Sequence, residues 1–438
     1  MANHRLPEAL HALTTEDAEC FFAADSRIQP PDPALKLAPV RRVALIAESF
    51  LPKVDGVSKT AFLTLRYLQR TGREVLVFAP NTAPPTIGNT RVVRLPSFGP
   101  RFYPESRLAL PMPMISRELE AFQPDLIHAF SPALASTRVV AHARYWRIPV
   151  VATYQTDLPA YAHYYRLGFL SRPIRRWLRH EHRQSTLTLV PSPTTAHQLR
   201  EEGYRRLRSW PRGVNSSHFH PGRRNPTTRV HLLNGRDPTS LLCLYVGRLS
   251  PEKRIDLLTE LARTPGIALA IVGDGPKRAE LERQFVGTGV HFTGYLHGDA
   301  LAEAYASADV FVFPGVTETF GQVVQEAEAS GLPVLTVNQG GVRDLVEPGV
   351  TGLLVPPDAE ALAHAAILLR DDPALRAHMS TAARARAEQR PWERILAELE
   401  NYYREALDLT ARYNRRYPPE SAGRHVSRRP PLKDSSYA

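Results

Sequence analysis

The sequence predicts an α/β protein made of two Rossmann-like domains, parallel sheets covered by helices, that face each other across a cleft. Three observations predict it. Apolar runs of strand length alternate with segments of helical period at about thirty residues per unit, the rhythm of a parallel sheet with crossover helices. The alternation stops in a polar stretch and then restarts, so the pattern occurs twice. A chain of 438 residues has room for two or three domains, each with its own core.

Residues 1–39 contain proline and show no clear period, so they read as a variable extension, partly disordered. The first domain is expected over 40–215 and begins with a strand from Arg42 to Glu48. A loop to Val57 and a helix from Ser58 to Thr71 follow, with Ala61, Phe62, Leu65 and Leu68 as its apolar positions. Glu74–Ala79, Arg91–Leu95, Asp125–Ala129 and Pro149–Tyr154 read as further strands, with a helix around Ser116–Phe122. Binding loops of such sheets follow the carboxyl ends of the strands. That rule selects Asp55-Gly56-Val57, His128 and Gln155-Thr156-Asp157. His128 also reads as a satisfied core histidine.

Ser171–Gln184 reads as a basic amphipathic helix. Arg172, Arg175, Arg176, Arg179 and Arg183 fall within roughly a 100° arc, with Ile174, Trp177 and Leu178 opposite. It is either a surface helix with its apolar face in the core or a helix that docks on anionic lipid headgroups. Tyr161, Tyr164, Tyr165, Phe169 and Leu170 before it suit an interfacial loop or an acceptor pocket equally. The strand Thr186–Pro191 and the helix Thr194–Gly203 complete the first half. Residues 216–240 are polar and aperiodic, and are expected to be the linker.

The second domain, 241–390, starts with the strand Leu241–Val246, the loop Gly247–Lys253 and the helix Ile255–Thr264. The strand Ile267–Val272, the loop Gly273-Asp274-Gly275-Pro276, the helix Lys277–Phe285, the strand Val290–Gly294 and the helix Ala300–Ser307 come next. A buried strand from Ala308 is stopped by Pro314, a helix is expected from Thr319 to Ser330, and Gly331 and Pro333 close it. The strand Pro333–Val337, the loop Gly340-Gly341 and a helix Val342–Val346 finish the sheet. In 391–417, Trp392, Ile395, Leu396, Leu399, Tyr402, Tyr403 and Ala406 recur at helical spacing, and 418–438 is a basic tail expected to be flexible.

The chemistry concentrates around Glu318 and Glu326, two carboxylates with seven residues between them. With a helix beginning at Thr319, unpaired backbone N–H groups of Thr319, Phe320 and Gly321 would cradle a phosphate at the positive end of the helix dipole. One carboxylate would hold a sugar hydroxyl and the other a ribose; the plain alternative is a capping acid and a solvated glutamate. Arg248 and Lys253 offer a guanidinium fork and a point charge suited to two phosphates. Gly273, Asp274 and Gly275 form a turn after a strand, where a ligand can approach the backbone.

A net charge of +11 and a pI near 9.8 imply an anionic partner: nucleic acid, a phospholipid surface or a sugar nucleotide. Two cysteines exclude a disulfide framework, and no cluster has zinc spacing. No apolar run reaches the ~18 residues of a membrane span. Asp-x-Asp is absent, so no carboxylate pair is set to hold a magnesium ion against a diphosphate.

The order Gly-Arg-Leu-x3-Lys, Gly-Asp-Gly-Pro, Glu-x7-Glu, Gly-Leu-Pro-Val resembles the family 4, retaining, GT-B type glycosyltransferases, from Val43 to about Tyr403. Ala47-Glu48-Ser49-Phe50-Leu51-Pro52, Tyr154-Gln155-Thr156-Asp157 and Arg212-Gly213-Val214-Asn215 look like the branch of GDP-mannose-dependent α-mannosyltransferases and sulfoquinovosyl transferases acting on diacylglycerol glycolipids. The resemblance implies that Arg248 and Lys253 bind the diphosphate, Glu318 the donor sugar and Glu326 the ribose. It places Gly56 near the phosphates, makes His128 the candidate for a histidine that touches the sugar, and has the C-terminal helix cross back onto the first domain.

The expectation is therefore a retaining α-glycosyltransferase that moves a hexose from a GDP- or UDP-sugar to a lipid or glycolipid acceptor. Glu318, His128, Arg248 and Lys253 are its catalytic candidates. Gly56, Gly273, Asp274, Gly275, Thr319, Phe320, Gly321 and Glu326 join the donor site, and Tyr154 and Asp157 the acceptor site. Arg172, Arg175, Arg176, Arg179 and Trp177 would meet an anionic membrane, giving a cytoplasmic protein peripheral on the inner face of the cell membrane. No metal or cofactor is required. The rivals are a soluble-acceptor transferase, a nucleotide-sugar epimerase and a basic nucleic-acid-binding protein, the last lacking any recognition or stacking motif.

Overall fold

The structure is a computed structural model that describes residues 32–53, 55–99, 107–165 and 167–418. Residues 1–31 of the expected extension and 419–438 of the expected tail lie outside them.

The first half forms β1 (Arg42–Ala47), β2 (Glu74–Pro80), β3 (Thr86–Ile87), β4 (Thr90–Leu95), β5 (Ser97–Phe98), β6 (Leu108–Ala109), β7 (Leu126–Phe130), β8 (Val150–Thr153), β9 (Leu187–Val190) and β10 (Leu207–Ser209). Eight of these make one sheet in the order β10-β9-β8-β7-β1-β2-β4-β3, parallel except for β3 on β4, while β5 and β6 pair separately. The second half forms β11 (Leu241–Val246), β12 (Ile267–Val272), β13 (His291–Gly294), β14 (Val310–Phe313), β15 (Val334–Val337) and β16 (Gly352–Val355). They line up as β13-β12-β11-β14-β15-β16, all parallel. This is the doubly wound order, in which strands grow outward from a central pair and helices cover both faces.

Side-chain alternation places the first sheet between two cores. Val43 and Leu45 of β1 pack with Phe62, Leu65 and Trp210 on one side, while Ala44 and Ile46 meet Phe78, Ile115 and Val139 on the other. Trp392, Ile395, Leu396, Leu399, Tyr403 and Ala406 of the helices Trp392–Ala397 and Leu399–Arg416 are buried in the first of these cores, so the C-terminal stripe does cross back. Glu400 secures it: Arg73 Nη2 lies 2.7 Å away, and the Tyr67 hydroxyl and Ala38 N–H donate to the same carboxylate. The two crossings between the halves run side by side, Val214 N–H donating to the Arg390 carbonyl at 2.9 Å. Gly213 is needed there, since a Cβ would stand 2.5 Å from the Trp392 Cα.

Several boundaries differ from the sequence expectation. The helix expected from Ser58 starts at Gly56, because Asp55 accepts from the Val57 and Ser58 N–H groups while the Ser58 hydroxyl returns to the Asp55 backbone. The stretch expected to be a linker contains a helix, Pro226–Leu233, capped by Asn225, with Leu232 and Leu233 in the core around the second sheet. Its Asn-Pro start signal was present, but a single buried turn leaves almost no periodicity. Val342–Val346 is not an α-helix: a 3-10 turn spans Gly341–Asp344 instead.

Candidate functional site

In each sheet the strand order reverses beside its first strand, between β1 and β7 and between β11 and β14. Loops from those carboxyl ends form the natural binding crevice. The loop after β11 carries Arg248 and Lys253, the loop after β14 carries Glu318, and the loop after β1 leads to Gly56.

On the second sheet, Lys253 and Glu318 form an ion pair although 65 residues separate them. The Lys253 ammonium also sits 5.8 Å from the Phe313 ring centre. Arg248 follows Gly247, and its carbonyl accepts from the Tyr245 hydroxyl at 3.2 Å. The Gly273–Gly275 turn lies directly against this loop: Leu249 N–H donates to the Asp274 carbonyl and Lys277 N–H to the Leu249 carbonyl, both at 2.9 Å. A Cβ on Gly273 would come within 2.0 Å of the Gly247 carbonyl oxygen, so glycine is what allows the two loops to touch. Asp274 is spent locally, accepting from Gly275 N–H and pairing with Arg278 at 3.3 Å. The turn therefore buttresses the Arg248–Lys253 loop.

The Glu318–Gly321 segment is a loop, which corrects the expectation of a helix from Thr319. Gly321, at φ +96°, is the N-cap and the helix runs Gln322–Ala329. Tertiary bonds hold the preceding residues outside helical geometry. The Thr319 hydroxyl donates to the Gln155 carbonyl at 2.6 Å, the Thr319 carbonyl accepts from Thr195, and the Glu318 carbonyl accepts from Gly341 N–H at 2.6 Å. Phe320 is buried. Glu326 consequently lies little more than one turn into the helix rather than two.

Across from these loops stand Gly56, Lys59 and Arg212 of the first half. Lys59 Nζ lies 2.9 Å from Glu326 Oε1, and the Tyr305 hydroxyl donates to the other carboxylate oxygen at 3.2 Å. Arg212 is buried, with its guanidinium 5.8 Å from the Phe320 ring centre and so close to Gly56 that a Cβ there would meet Nη1 at 2.1 Å. Burial pulls its pKa down to about 10 against the opposing pull of Glu318 and Asp55. Burial would raise Asp55, but Lys53 beside it and the Ser58 N–H bring it down to about 2. Lys59 and Arg212 were absent from the sequence-derived site. The one signal for Arg212 was the Arg-Gly-Val-Asn run at the crossing, and a lone lysine in a first helical turn carries none.

Three other candidates sit elsewhere. His128 is fully buried on β7, its Nδ1 2.9 Å from the Tyr403 hydroxyl and its ring stacked on Phe130. Burial lowers its pKa to about 3, so it is a neutral core histidine beneath the C-terminal helix. Tyr154 packs against His182 and Tyr204 in a small core of its own, and burial raises its hydroxyl pKa well above normal. Asp157 caps the helix Leu158–Tyr164, accepting from Ala160 N–H at 3.0 Å.

The basic helix runs Ser171–Gln184, as the sequence predicts, but its arginines divide. Arg175 pairs with Glu202 at 3.0 Å, Arg179 donates to the Glu202 carbonyl and Arg183 to the Gly203 carbonyl. These three complement the C-terminal end of the helix Pro193–Glu201. Arg172 and Arg176 are exposed, as is Phe169 just before the helix, while Trp177 is half-buried and Leu178 buried.

Comparison with known proteins agrees with this geometry. The family description "Glycosyltransferase Family 4" matches residues 54–218 and "Glycosyl transferases group 1" matches 233–386. A GDP-mannose-dependent alpha-mannosyltransferase of Mycobacterium tuberculosis is 42% identical over 380 residues, 83% of this chain and 96% of that one. The sulfoquinovosyl transferase SQD2 of Arabidopsis thaliana is 36% identical over 390 residues, 86% of this chain and 76% of that one. A solved sucrose-phosphate synthase from Thermosynechococcus elongatus shares the fold with a TM-score of 0.70 at 24% identity, over 84% of this chain and 99% of that one. Two doubly wound sheets, the four ordered motifs and these matches lead to one conclusion: the chain belongs to the family 4 glycosyltransferases of GT-B fold.

Proposed function

We propose that this protein is a retaining α-hexosyltransferase that moves mannose or a glucose-type hexose from a GDP- or UDP-sugar to a lipid acceptor, such as a diacylglycerol glycolipid, at a membrane surface. The observation that carries the donor half is the Lys253–Glu318 pair at the strand-order reversal of the second sheet, which brings a cation and a carboxylate to one point. A diphosphate entering beside Arg248 competes with Glu318 for Lys253. The lysine then turns to phosphate and the released carboxylate to sugar hydroxyls. Glu326 accepts from the ribose, and the Arg248–Lys253 loop is held to its position by the turn at Gly273.

In the reaction the bond between the anomeric carbon and the phosphate oxygen breaks as the acceptor hydroxyl oxygen bonds to the same face. The hydroxyl proton passes to the departing phosphate. Charge growing on that phosphate is met by Arg248 and Lys253, fixed in place before the reaction begins. These cations do the work a metal would otherwise do, and no cofactor is called for. His128, enclosed in the core, takes no direct part.

The lipid half rests on the exposed Phe169, Arg172 and Arg176 at the start of the basic helix, a side chain to insert and two to meet phosphates. No helix among the described residues is long and apolar enough to cross a membrane; the proposed site of action is the cytoplasmic face. The test offers GDP- and UDP-hexoses with diacylglycerol-glycolipid vesicles or soluble sugars, with and without EDTA, and reads the anomeric configuration of the product. GDP-mannose, the donor named for the 42% identical relative, is the first to try. Transfer to soluble sugars alone would replace the lipid reading with the soluble-acceptor one.

A further inference from the structure

We propose that a second surface, built from the end of the helix Leu134–Trp146 and the end of the C-terminal helix, docks this protein on anionic lipid headgroups. The proposal rests on the membrane-surface part of the function proposed above and assigns a face outside the basic helix.

The first segment reads Arg144-Tyr145-Trp146-Arg147 and the second Arg412-Tyr413-Asn414-Arg415-Arg416-Tyr417: four aromatic residues, five arginines and no carboxylate. The fold brings them together. Arg147 donates to Asn414 Oδ1 at 3.2 Å and to the Tyr417 carbonyl, and its guanidinium lies 6.0 Å from the Tyr413 ring centre. Tyr145 meets Trp146 edge-on at 5.5 Å, Tyr413 and Tyr417 are 5.1 Å apart, and Arg416 lies 5.6 Å from the Tyr417 ring. The rings nevertheless face outward, with Tyr145 81%, Trp146 44%, Tyr413 58% and Tyr417 51% exposed. Arg144 donates to Gln184, so the cluster adjoins the far end of the basic helix.

Charge and ring chemistry point to one occupant. Four large aromatic side chains are left in solvent at a cost that burial elsewhere would recover. Tyrosine and tryptophan, apolar in body and polar at one tip, are the side chains that favour the headgroup layer. Five arginines with no acid inside either segment, Asp408 standing one turn before Arg412, add attraction to a negative surface. The sequence after Tyr417 continues the trend, with Arg424, Arg428, Arg429 and Lys433 against Glu420 and Asp434.

The test uses the full chain and vesicles of phosphatidylcholine with or without phosphatidylglycerol. Trp146 is read by brominated-lipid quenching in a Trp177→Phe background, where the remaining tryptophans, Trp210 and Trp392, are buried. Quenching on anionic vesicles supports the proposal, and none overturns it. Tyr145→Ser with Trp146→Ser should weaken partitioning on the order of tenfold, leaving donor hydrolysis in solution unchanged. Equal partitioning of this variant, with loss confined to Arg172→Glu/Arg176→Glu, sinks this surface but leaves the function reading intact. A wild-type chain that ignores every vesicle removes the membrane reading itself. Competition by single-stranded nucleic acid with no vesicle binding would reassign the surface to stacking on bases.

Discussion

Lys59, in the first turn of the Gly56–Arg70 helix, forms a 2.9 Å ion pair with Glu326 of the other half. One end of the Glu-x7-Glu pair is thus neutralised from across the crevice, as Glu318 is neutralised within its own half by Lys253. Breaking a buried pair on one side strands a charge, which costs about 3–5 kcal/mol. Lys59→Met should lower the melting temperature, and adding Glu326→Gln should restore most of it. Thermal melts of the four proteins in that cycle measure the coupling, and additive losses would mean the pair is not formed in solution.

Glu318→Ala and Lys253→Met should each lower kcat/KM by about 10²–10³, the scale for losing one preorganised charge at a reacting group. Lys253 ends the 3-10 turn Pro251–Lys253 and Glu318 lies within the loop after β14, and both are more exposed than Lys59 and Glu326, so melting should change less than when that pair is broken. Donor-saturation kinetics beside a melt decide the matter: wild-type turnover in Glu318→Ala would remove that residue from the reaction.

Gly273→Ala tests the buttress. The added methyl would overlap the Gly247 carbonyl, and φ of +133° disfavours alanine as well. A loss of about 1–3 kcal/mol in stability should come with a higher KM for donor, because the Arg248–Lys253 loop is displaced. Unchanged donor affinity would separate the turn from the site.

Glu48, at the end of β1, carries a pH signature. Burial pushes its carboxyl up to about 7, opposed by hydrogen bonds from Ser136 and from the Ala133 N–H. A carboxyl whose folded pKa is raised holds its proton more tightly when folded. Its contribution to stability is therefore full below its ordinary value of 4.5 and is lost as pH rises through about 7. Wild type should lose stability over that window relative to Glu48→Gln, whose amide oxygen still accepts from the same donors. Denaturant midpoints of both proteins between pH 5 and pH 8, about one unit beyond the shift, check the sign; parallel curves would refute it.

Glu400 is the tie of the C-terminal helix, and Glu400→Ala should cost about 3–5 kcal/mol by leaving Arg73 buried without its anion. The loss should appear as freer proteolysis after Trp392 at temperatures where the second half stays folded.

Much of the fold was legible in the chain because strands buried on both faces are written as continuous apolar runs, and the runs of β1, β7, β11, β12 and β14 are nearly pure. The helix behind β1 was legible from its apolar positions, but its start was not, because the capping box between Asp55 and Ser58 lies in a stretch that also reads as a binding loop. The helix Pro226–Leu233 was not, because two leucines make no period. Nor was the shape of Glu318–Gly321, where local pattern favoured a helix and contacts to Gln155, Thr195 and Gly341 imposed a loop.

The sequence by itself determined the doubly wound class, the order of the motifs and the family, since these depend on local periodicity and on residue spacing along one chain. Only the tertiary structure decided which charges meet: Lys59 with Glu326, Arg212 against Gly56, Arg175 with Glu202 and His128 away in the core. Pairing between residues far apart in the chain, 267 positions for Lys59 and Glu326, is set by how strands order within a sheet and how the two sheets face each other. Spacing in the chain carries no record of either.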